Sequence, residues 1–229
     1  MGVQTPADAS DFLKGNYRAS STKSGRNFAK VKLINGGIRM GSQAHFFYAV
    51  SLPSTTKLKI KEECSILKRN LPFQRWVHHE DLHITLAFLG SAEKEMLQAS
   101  QVLIEKGLED QKALTLQINK LGVFGREDSP RIFWADTYKE ERLNTIRDIV
   151  FSACAGAGFE LETRPFKPHI TLARKWTGDS PFHTSLLNEH NPYNDSPLSF
   201  TANEVVLYQT HLDKSPKYER IASFPLADE

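Results

Sequence analysis

The pentapeptide His-Ile-Thr-Leu-Ala occurs twice in this chain, at residues 83–87 and again at residues 169–173. Each copy lies in an apolar run of strand length, and each follows a strand-like run and then a helical pattern. Five identical residues in the same structural context are improbable by chance. The repeat therefore predicts two related lobes.

Side chains alternate between the two faces of a β-strand. The first copy is expected to place three residues on a polar face, namely His83, Thr85 and Ala87, and three on an apolar face, namely Ile84, Leu86 and Phe88. The second copy is expected to repeat this division, with His169, Thr171 and Ala173 opposite Ile170 and Leu172. If the polar faces of the lobes meet, two histidines and two hydroxyl groups converge in one cleft.

The rest of the chain alternates strand-like and helical patterns. We expect strands at residues 45–52, 82–90, 113–124, 131–138, 168–176, 201–212 and 217–226. Helices are expected at residues 55–70, 91–108 and 139–158, with Ser91 as the N-cap of the second. This order predicts an α+β fold with mostly antiparallel strands.

The segment His79-Glu80-Asp81-Leu82-His83 matches the H-E-x-x-H pattern of zinc proteases, which requires a helix. The β-branched residues that follow and the short length of the run favour a strand instead. The second copy has no such pattern, and Pro168 directly before His169 disfavours a helix there. The sequence therefore predicts neither a metal site nor a cofactor.

The composition is that of an ordinary globular protein, with 40% hydrophobic and 24% charged residues and a net charge of +2. Cys64 and Cys154 lie far apart, so they suggest neither a disulfide framework nor a cysteine zinc site. No run approaches the ~18 apolar residues of a membrane span, and no secretory signal is recognisable. We expect a cytoplasmic protein.

Residues 1–40 differ from the rest in their high content of Ser, Gly, Asn and Lys. We interpret them as a leader, either flexible or derived from an expression vector, that precedes a single domain at residues 41–229. The alternative is a genuine extension in which residues 28–34 form a strand.

Two imidazoles on facing strands suit acid–base chemistry at neutral pH, because their ordinary pKa is about 6.5. The hydroxyl groups of Thr85 and Thr171 can hydrogen-bond the oxygens of a phosphate held between them. Phosphodiester cleavage needs this combination of base, acid and donors. A single His-x-Thr on a strand is usually structural, and the duplication is what favours function.

Four stretches resemble one known family: "FFYAVSLP", "RWVHHEDLHITLAFLG", "LGVFGREDSPRIFWA" and "RPFKPHITLARK". Together with the two H-x-T motifs, they resemble the 2H phosphoesterase superfamily, and in particular the RNA 2′,3′-cyclic phosphodiesterases, historically named 2′-5′ RNA ligases. The resemblance covers residues 46–226. It implies a bilobal fold with pseudo-two-fold symmetry, in which two mostly antiparallel sheets flank a central cleft and the helices lie outside.

By this resemblance, His83 would donate a proton to the leaving 3′ oxygen and His169 would activate a water molecule. Thr85 and Thr171 would bind the phosphate, and the product would be an RNA 2′-phosphate. No metal or cofactor is implied. From the residues alone, the two histidines could exchange roles.

Four further residues are candidates for substrate binding. Arg131 and Arg174 could contact phosphate or base, since guanidinium groups bind phosphate in a bidentate manner. Strand alternation would place Arg174 on the face opposite His169 unless the strand ends or twists there. Phe124 and Trp76 could stack on a base, or could simply pack in the core or at the edge of a lobe.

The expected partner is RNA with 2′,3′-cyclic phosphate ends, tRNA fragments among them, bound by a monomer away from any membrane. One alternative is a small cyclic phosphate such as ADP-ribose 1″,2″-cyclic phosphate, or a 2′-5′ oligoadenylate. Another is an RNA-binding module that has kept the fold without turnover. The two intact motifs argue against the second alternative.

Overall fold

The strand-like and helical runs of this chain form nine strands and four helices in the computed structural model, which describes residues 44–228. The strands are β1 (His45–Ser51), β2 (Phe73–Trp76), β3 (His83–Ser91), β4 (Leu114–Gly125), β5 (Pro130–Thr137), β6 (Ile170–Trp176), β7 (Leu198–Ala202), β8 (Glu204–Thr210) and β9 (Tyr218–Pro225). The helices are α1 (Ser54–Asn70), α2 (Lys94–Leu108), α3 (Glu141–Gly156) and α4 (Ser185–Glu189). The predicted leader at residues 1–40 lies outside the described residues.

All nine strands belong to one sheet with the order β7-β4-β5-β6-β3-β1-β8-β9, and β2 pairs with β6 beside this path. Every pairing between these strands is antiparallel. The two strands that carry the repeated pentapeptide, β3 and β6, meet through the single residue pair Ile84–Ile170. The α+β class with antiparallel strands is thus confirmed, and the two expected sheets are joined into one continuous sheet through this pair.

One apolar core joins the sheet to the first three helices. Each helix contributes buried side chains spaced three, four or seven residues apart, which is the spacing of one helical face. Among the described residues, no helix has the length and apolar character needed to cross a membrane.

Each repeat contains a β-bulge at its leucine. In β3, Thr85 and Ala87 pair with consecutive residues of β1, so that Leu86 is the extra residue. In β6, Leu172 is the extra residue opposite β5 in the same way. The two copies therefore share an irregularity as well as a sequence.

These bulges correct the predicted division of side chains between the two faces. Ala87 and Ala173, expected on the polar face, are buried in the core at 5% and 0% exposure. Phe88, expected on the apolar face, is 59% exposed. An extra residue in one strand reverses the alternation beyond it. For the same reason Arg174 is exposed on the face that carries Thr171.

Three boundaries also differ from the sequence-based expectation. Ser91 is not an N-cap but the last residue of β3, and α2 begins at Lys94 without a side-chain cap. The run at residues 201–212 divides into β7 and β8 around Asn203, whose carbonyl accepts a hydrogen bond from the backbone of Leu226. The short elements β2 and α4 were not predicted.

Lys175 has a positive φ angle of 64°, in the left-handed region that costs a non-glycine residue about 1–2 kcal/mol. We expect Lys175→Gly to raise the free energy of unfolding by up to ~1 kcal/mol, because glycine adopts this conformation without strain. The measurement is urea denaturation.

The matched control is Lys59→Gly at an exposed position inside α1, where the φ angle is ordinary. There the same substitution should lower the free energy of unfolding by about 1 kcal/mol. Equal destabilisation by both substitutions would show that Lys175 is not strained.

Candidate active site

One face of the two central strands carries the four polar residues of the repeats: His83, Thr85, His169 and Thr171. Ile84 and Ile170 form the only ladder pair between these strands within the described part of the chain, and both are fully buried on the opposite face. Extending this antiparallel register by one residue each way places each histidine opposite the threonine of the other repeat. If the register continues that far, the histidines are diagonal neighbours with Cα atoms roughly 7–8 Å apart.

His83 is held at both ring nitrogens. Its Nδ1 atom lies 2.7 Å from the carbonyl oxygen of Asp81, and its Nε2 atom lies 3.1 Å from Oγ1 of Thr85. A carbonyl oxygen can only accept, so Nδ1 carries the hydrogen. In the neutral ring, Nε2 is therefore an acceptor, and the hydroxyl of Thr85 donates to it.

His169 is anchored in the same way. Its Nδ1 atom donates to the carbonyl oxygen of Lys167 over 2.8 Å, again two residues before the histidine. No hydrogen bond to its Nε2 atom is found among residues 44–228. Both neutral imidazoles thus have the same tautomer, with Nε2 as the acceptor. That nitrogen is occupied by Thr85 in His83 and is open to a ligand in His169.

The imidazole of His83 packs against three aromatic rings. Its ring centroid lies 4.8 Å from Phe47, 5.2 Å from Tyr218 and 6.0 Å from Tyr208. Burial among these rings lowers the pKa of His83 to about 4. The hydrogen bond and charge of Asp81 oppose this shift, and the neighbouring His169 and Lys57 add to it. His83 is therefore neutral at pH 7 in the free protein.

Asp81 fixes the position of His83. Its carboxylate is 5% exposed and accepts hydrogen bonds from the backbone N–H groups of Lys217 at 3.0 Å and Tyr218 at 3.1 Å. This contact ties the turn before β3 to the start of β9 and brings Tyr218 beside His83. Sequence reasoning did not single out Asp81, because it was read only as part of the H-E-x-x-H pattern.

His169 lies against two aromatic rings of its own lobe. Phe124 meets it edge to face at 5.0 Å, and Trp134 lies 6.4 Å away. A Cβ atom at Gly122 would lie 2.1 Å from the ring of Trp134, so only glycine lets the indole lie over β4 at this point. The structure thus brings the predicted residue Phe124 into the site.

A cavity of about 820 Å³ opens beside these residues, a volume in the range of sites for nucleotide-sized ligands. Thr85 and His169 both line it, which places the two repeats at one cavity. Its wall also includes apolar and charged side chains from α3 and the loop that follows: Arg147, Phe151, Glu162, Arg164 and Phe166.

The other predicted binding residues lie in different places. Trp76 pairs across β2 and β6 with the buried Ala173 and packs edge-on against Phe133 at 5.9 Å, so it lies against the core and not in the cavity wall. Arg131 is exposed at a register shift between β4 and β5, outside the lining of the cavity. Arg174 is exposed on the face that carries Thr171 and is likewise outside the lining of the cavity.

The H-E-x-x-H segment does not form a helix that could hold zinc. Its residues His79–Asp81 form one 3₁₀ turn, and His83 begins a strand. Glu80 lies 3.4 Å from the buried ammonium of Lys57. Within residues 44–228 we find no group of three His, Cys, Asp or Glu side chains that could hold a metal ion.

Comparisons with known proteins agree with this architecture. A family model described as the 2′-5′ RNA ligase superfamily matches residues 59–214. An RNA 2′,3′-cyclic phosphodiesterase of Geobacillus stearothermophilus is 41% identical over 80% of this chain, which spans 58% of that relative's length. A protein of the same name from Bacillus subtilis is 34% identical over 80% of this chain and 97% of its own.

Two solved structures share the fold. E. coli LigT in complex with 3′-AMP has a TM-score of 0.64 at 23% identity and covers 80% of this chain and 97% of its own. TT0787 of Thermus thermophilus has a TM-score of 0.63 at 24% identity and covers 81% of this chain and 99% of its own.

The environment of His83 predicts its titration. In an NMR titration of the free protein, its pKa should lie well below the ordinary value of about 6.5, because burial disfavours the charged ring. Phe47→Ala admits water to the ring and should raise this pKa, whereas Phe88→Ala, at an exposed ring, should leave it unchanged. A pKa of 6.5 or higher in the free protein would show that the surrounding aromatic rings do not lower the pKa of His83.

The same shift affects stability in a defined direction. Because the native pKa is depressed, the unfolded state binds the proton first as the pH falls through the window from about 6.5 to about 4. His83 therefore lowers the free energy of unfolding across that window, and the Phe47→Ala variant should show a smaller loss there.

Proposed function

The chain belongs to the 2′-5′ RNA ligase superfamily, and we propose that it hydrolyses RNA 2′,3′-cyclic phosphate ends to 2′-phosphomonoesters with His83 and His169 as an acid–base pair. The observation that carries this proposal is the pair of imidazoles, each fixed through Nδ1 and each one residue from the buried isoleucine pair that joins the central strands. The names of the relatives support the reaction and RNA as the substrate.

The phosphate of the substrate would lie between the two histidines. Thr171 and Thr85 would donate hydrogen bonds to its non-bridging oxygens and stabilise the charge that grows in the transition state. In the free protein the hydroxyl of Thr85 donates to Nε2 of His83. Once that nitrogen is protonated it becomes a donor, and the hydroxyl is released to turn toward the phosphate.

The proton transfers balance between the two rings. Nε2 of His169 takes a proton from water as the water oxygen bonds to phosphorus. The bond between phosphorus and the 3′ oxygen breaks, and Nε2 of His83 donates its proton to that oxygen. The products are a 2′-phosphomonoester and a free 3′ hydroxyl, and the rings exchange protons with solvent before the next cycle. Side chains supply every group this step needs, without a metal ion.

The depressed pKa of His83 bears on its role as the acid. A ring that is neutral at pH 7 in the free protein must gain a proton when the substrate binds. The cyclic phosphate brings a negative charge within a few ångströms of the ring, and the surrounding aromatic side chains leave little water to screen that attraction. The substrate itself thus raises the pKa of His83 toward the range an acid needs.

We expect His83→Ala and His169→Ala each to lower the hydrolysis of an oligoribonucleotide with a 2′,3′-cyclic phosphate end by ~10²–10⁴-fold, the usual contribution of a positioned acid or base. EDTA should leave the wild-type rate unchanged. The matched control is His183→Ala, at an exposed histidine outside the site.

The products discriminate between the possible reactions. A 3′-phosphate end would contradict the assignment of the leaving oxygen, and loss of activity in EDTA would contradict the absence of a metal. Faster hydrolysis of ADP-ribose 1″,2″-cyclic phosphate than of RNA would replace the proposed substrate class.

A further inference from the structure

Two arginines stand directly opposite each other beside the active strands. Arg75 of β2 is the cross-strand partner of Arg174 of β6, and both are exposed. Side chains at such a position share one face of the sheet, with Cβ atoms roughly 4.5–5.5 Å apart. Like charges directly opposite each other destabilise a sheet, so this pair needs a compensating interaction.

The pair projects from the face that carries the histidines. On its other side Arg174 pairs with Ile132 of β5, and Ile132 lines the cavity. Burial raises the pKa of Tyr218, and the positive charge of Arg174 opposes that rise, which places Arg174 near Tyr218. Tyr218 in turn lies 5.2 Å from His83.

Neither guanidinium has an anionic partner in the described part of the chain. No ion pair or hydrogen bond of the Arg75 or Arg174 side chain is found among residues 44–228. Three other exposed arginines do have one, since Arg126 pairs with Asp128, Arg164 with Glu162 and Arg220 with Glu204. Exposed Arg69 and Arg131 have none among residues 44–228, so what distinguishes Arg75 and Arg174 is that they lie directly opposite each other. Two adjacent guanidinium groups are thus available to an anion.

The backbone on both sides of Arg174 departs from a regular strand. Leu172 forms the bulge that turns Arg174 toward the cavity face, and Lys175 holds the left-handed conformation. Bulges and strained residues of this kind re-aim side chains near functional sites. The bulge accounts for the direction of the Arg174 side chain, and the left-handed residue changes the course of the strand directly after it.

We propose that Arg75 and Arg174 form a second phosphate subsite, which binds the internucleotide phosphate next to the terminal nucleotide of the RNA. The inference rests on the proposed function. A cyclic phosphate occupies the 3′ end, so every other phosphate of the substrate lies on the 5′ side. Arg174 follows Thr171 by three residues, a distance of roughly 7–10 Å along the strand, comparable with the spacing of successive phosphates in an extended RNA.

The chemistry of the pair fits a phosphate diester. Guanidinium groups donate paired hydrogen bonds to phosphate oxygens, and an anion between Arg75 and Arg174 removes their mutual repulsion. The subsite takes any nucleotide sequence, because it contacts the backbone and not a base edge. It makes the enzyme selective for oligonucleotides over mononucleotides.

The test is the ratio of kcat/KM for two substrates, a trinucleotide with a 2′,3′-cyclic phosphate end and a mononucleoside 2′,3′-cyclic phosphate. The wild type should favour the trinucleotide, and Arg75→Gln should lower that preference about tenfold, the scale of one lost charge-assisted hydrogen bond. Arg126→Gln, at an arginine paired with Asp128 away from β2, should keep the wild-type ratio.

Two further measurements separate binding from folding. For binding of a trinucleotide with a 2′-phosphate end, the slope of log K against log salt concentration should be shallower by about 0.7 in Arg75→Gln than in the wild type. This is the change expected when one phosphate contact with a single strand is lost. The same variant should melt at or above the wild-type temperature in phosphate-free buffer, because the like-charge pair is gone.

The outcomes are distinguishable. If the wild type hydrolyses both substrates and Arg75→Gln leaves the ratio unchanged, the subsite is overturned while the proposed function stands. A wild type without any preference for the trinucleotide also overturns the subsite. If the wild type hydrolyses no cyclic phosphate at all, the proposed function fails.

Discussion

The pair Ile84–Ile170 is the contact on which the site depends. Within residues 44–228 it is the one ladder pair between the two central strands, and both side chains are fully buried. Burying two isoleucines stabilises the fold by roughly 1.5–3 kcal/mol each. Because side chains alternate, the same burial sends the residues on either side of each isoleucine to the opposite face. The hydrophobic effect therefore sets the positions of two imidazoles and two hydroxyl groups on the face opposite the core.

The two halves of the site share an anchor but differ in their surroundings. Each histidine donates Nδ1–H to the carbonyl two residues before it, so the orientation of the rings follows from the repeat itself. Their environments come from residues outside the repeats, with Phe47 and Tyr218 around His83 and the ring of Phe124 against His169. Different environments separate the pKa values of titratable groups of one kind, and the aromatic surroundings of His83 are the ones that lower its pKa.

Local sequence patterns predicted most of the strands and the three longer helices and singled out the two histidines, whereas features that depend on distant pairing were missed. The bulges at Leu86 and Leu172 arise where β3 meets β1 and where β6 meets β5, and neither partner is specified by the repeat. Strict alternation therefore misplaced Ala87 and Phe88. Asp81 was missed for a related reason, because its partners lie more than a hundred residues away, at the start of β9.

The neighbours Arg75 and Trp76 show why a residue type alone does not identify a binding residue. An aromatic side chain near a motif is equally compatible with base stacking and with core packing, and the cross-strand partner decides between them. Trp76 faces Ala173 and packs against the core, whereas Arg75 faces another arginine that has no ion pair among the described residues. The bulge that turned Ala173 inward also turned Arg174 outward. A single extra residue in β6 thus separates the packing side of this strand from the side that is open to an anion.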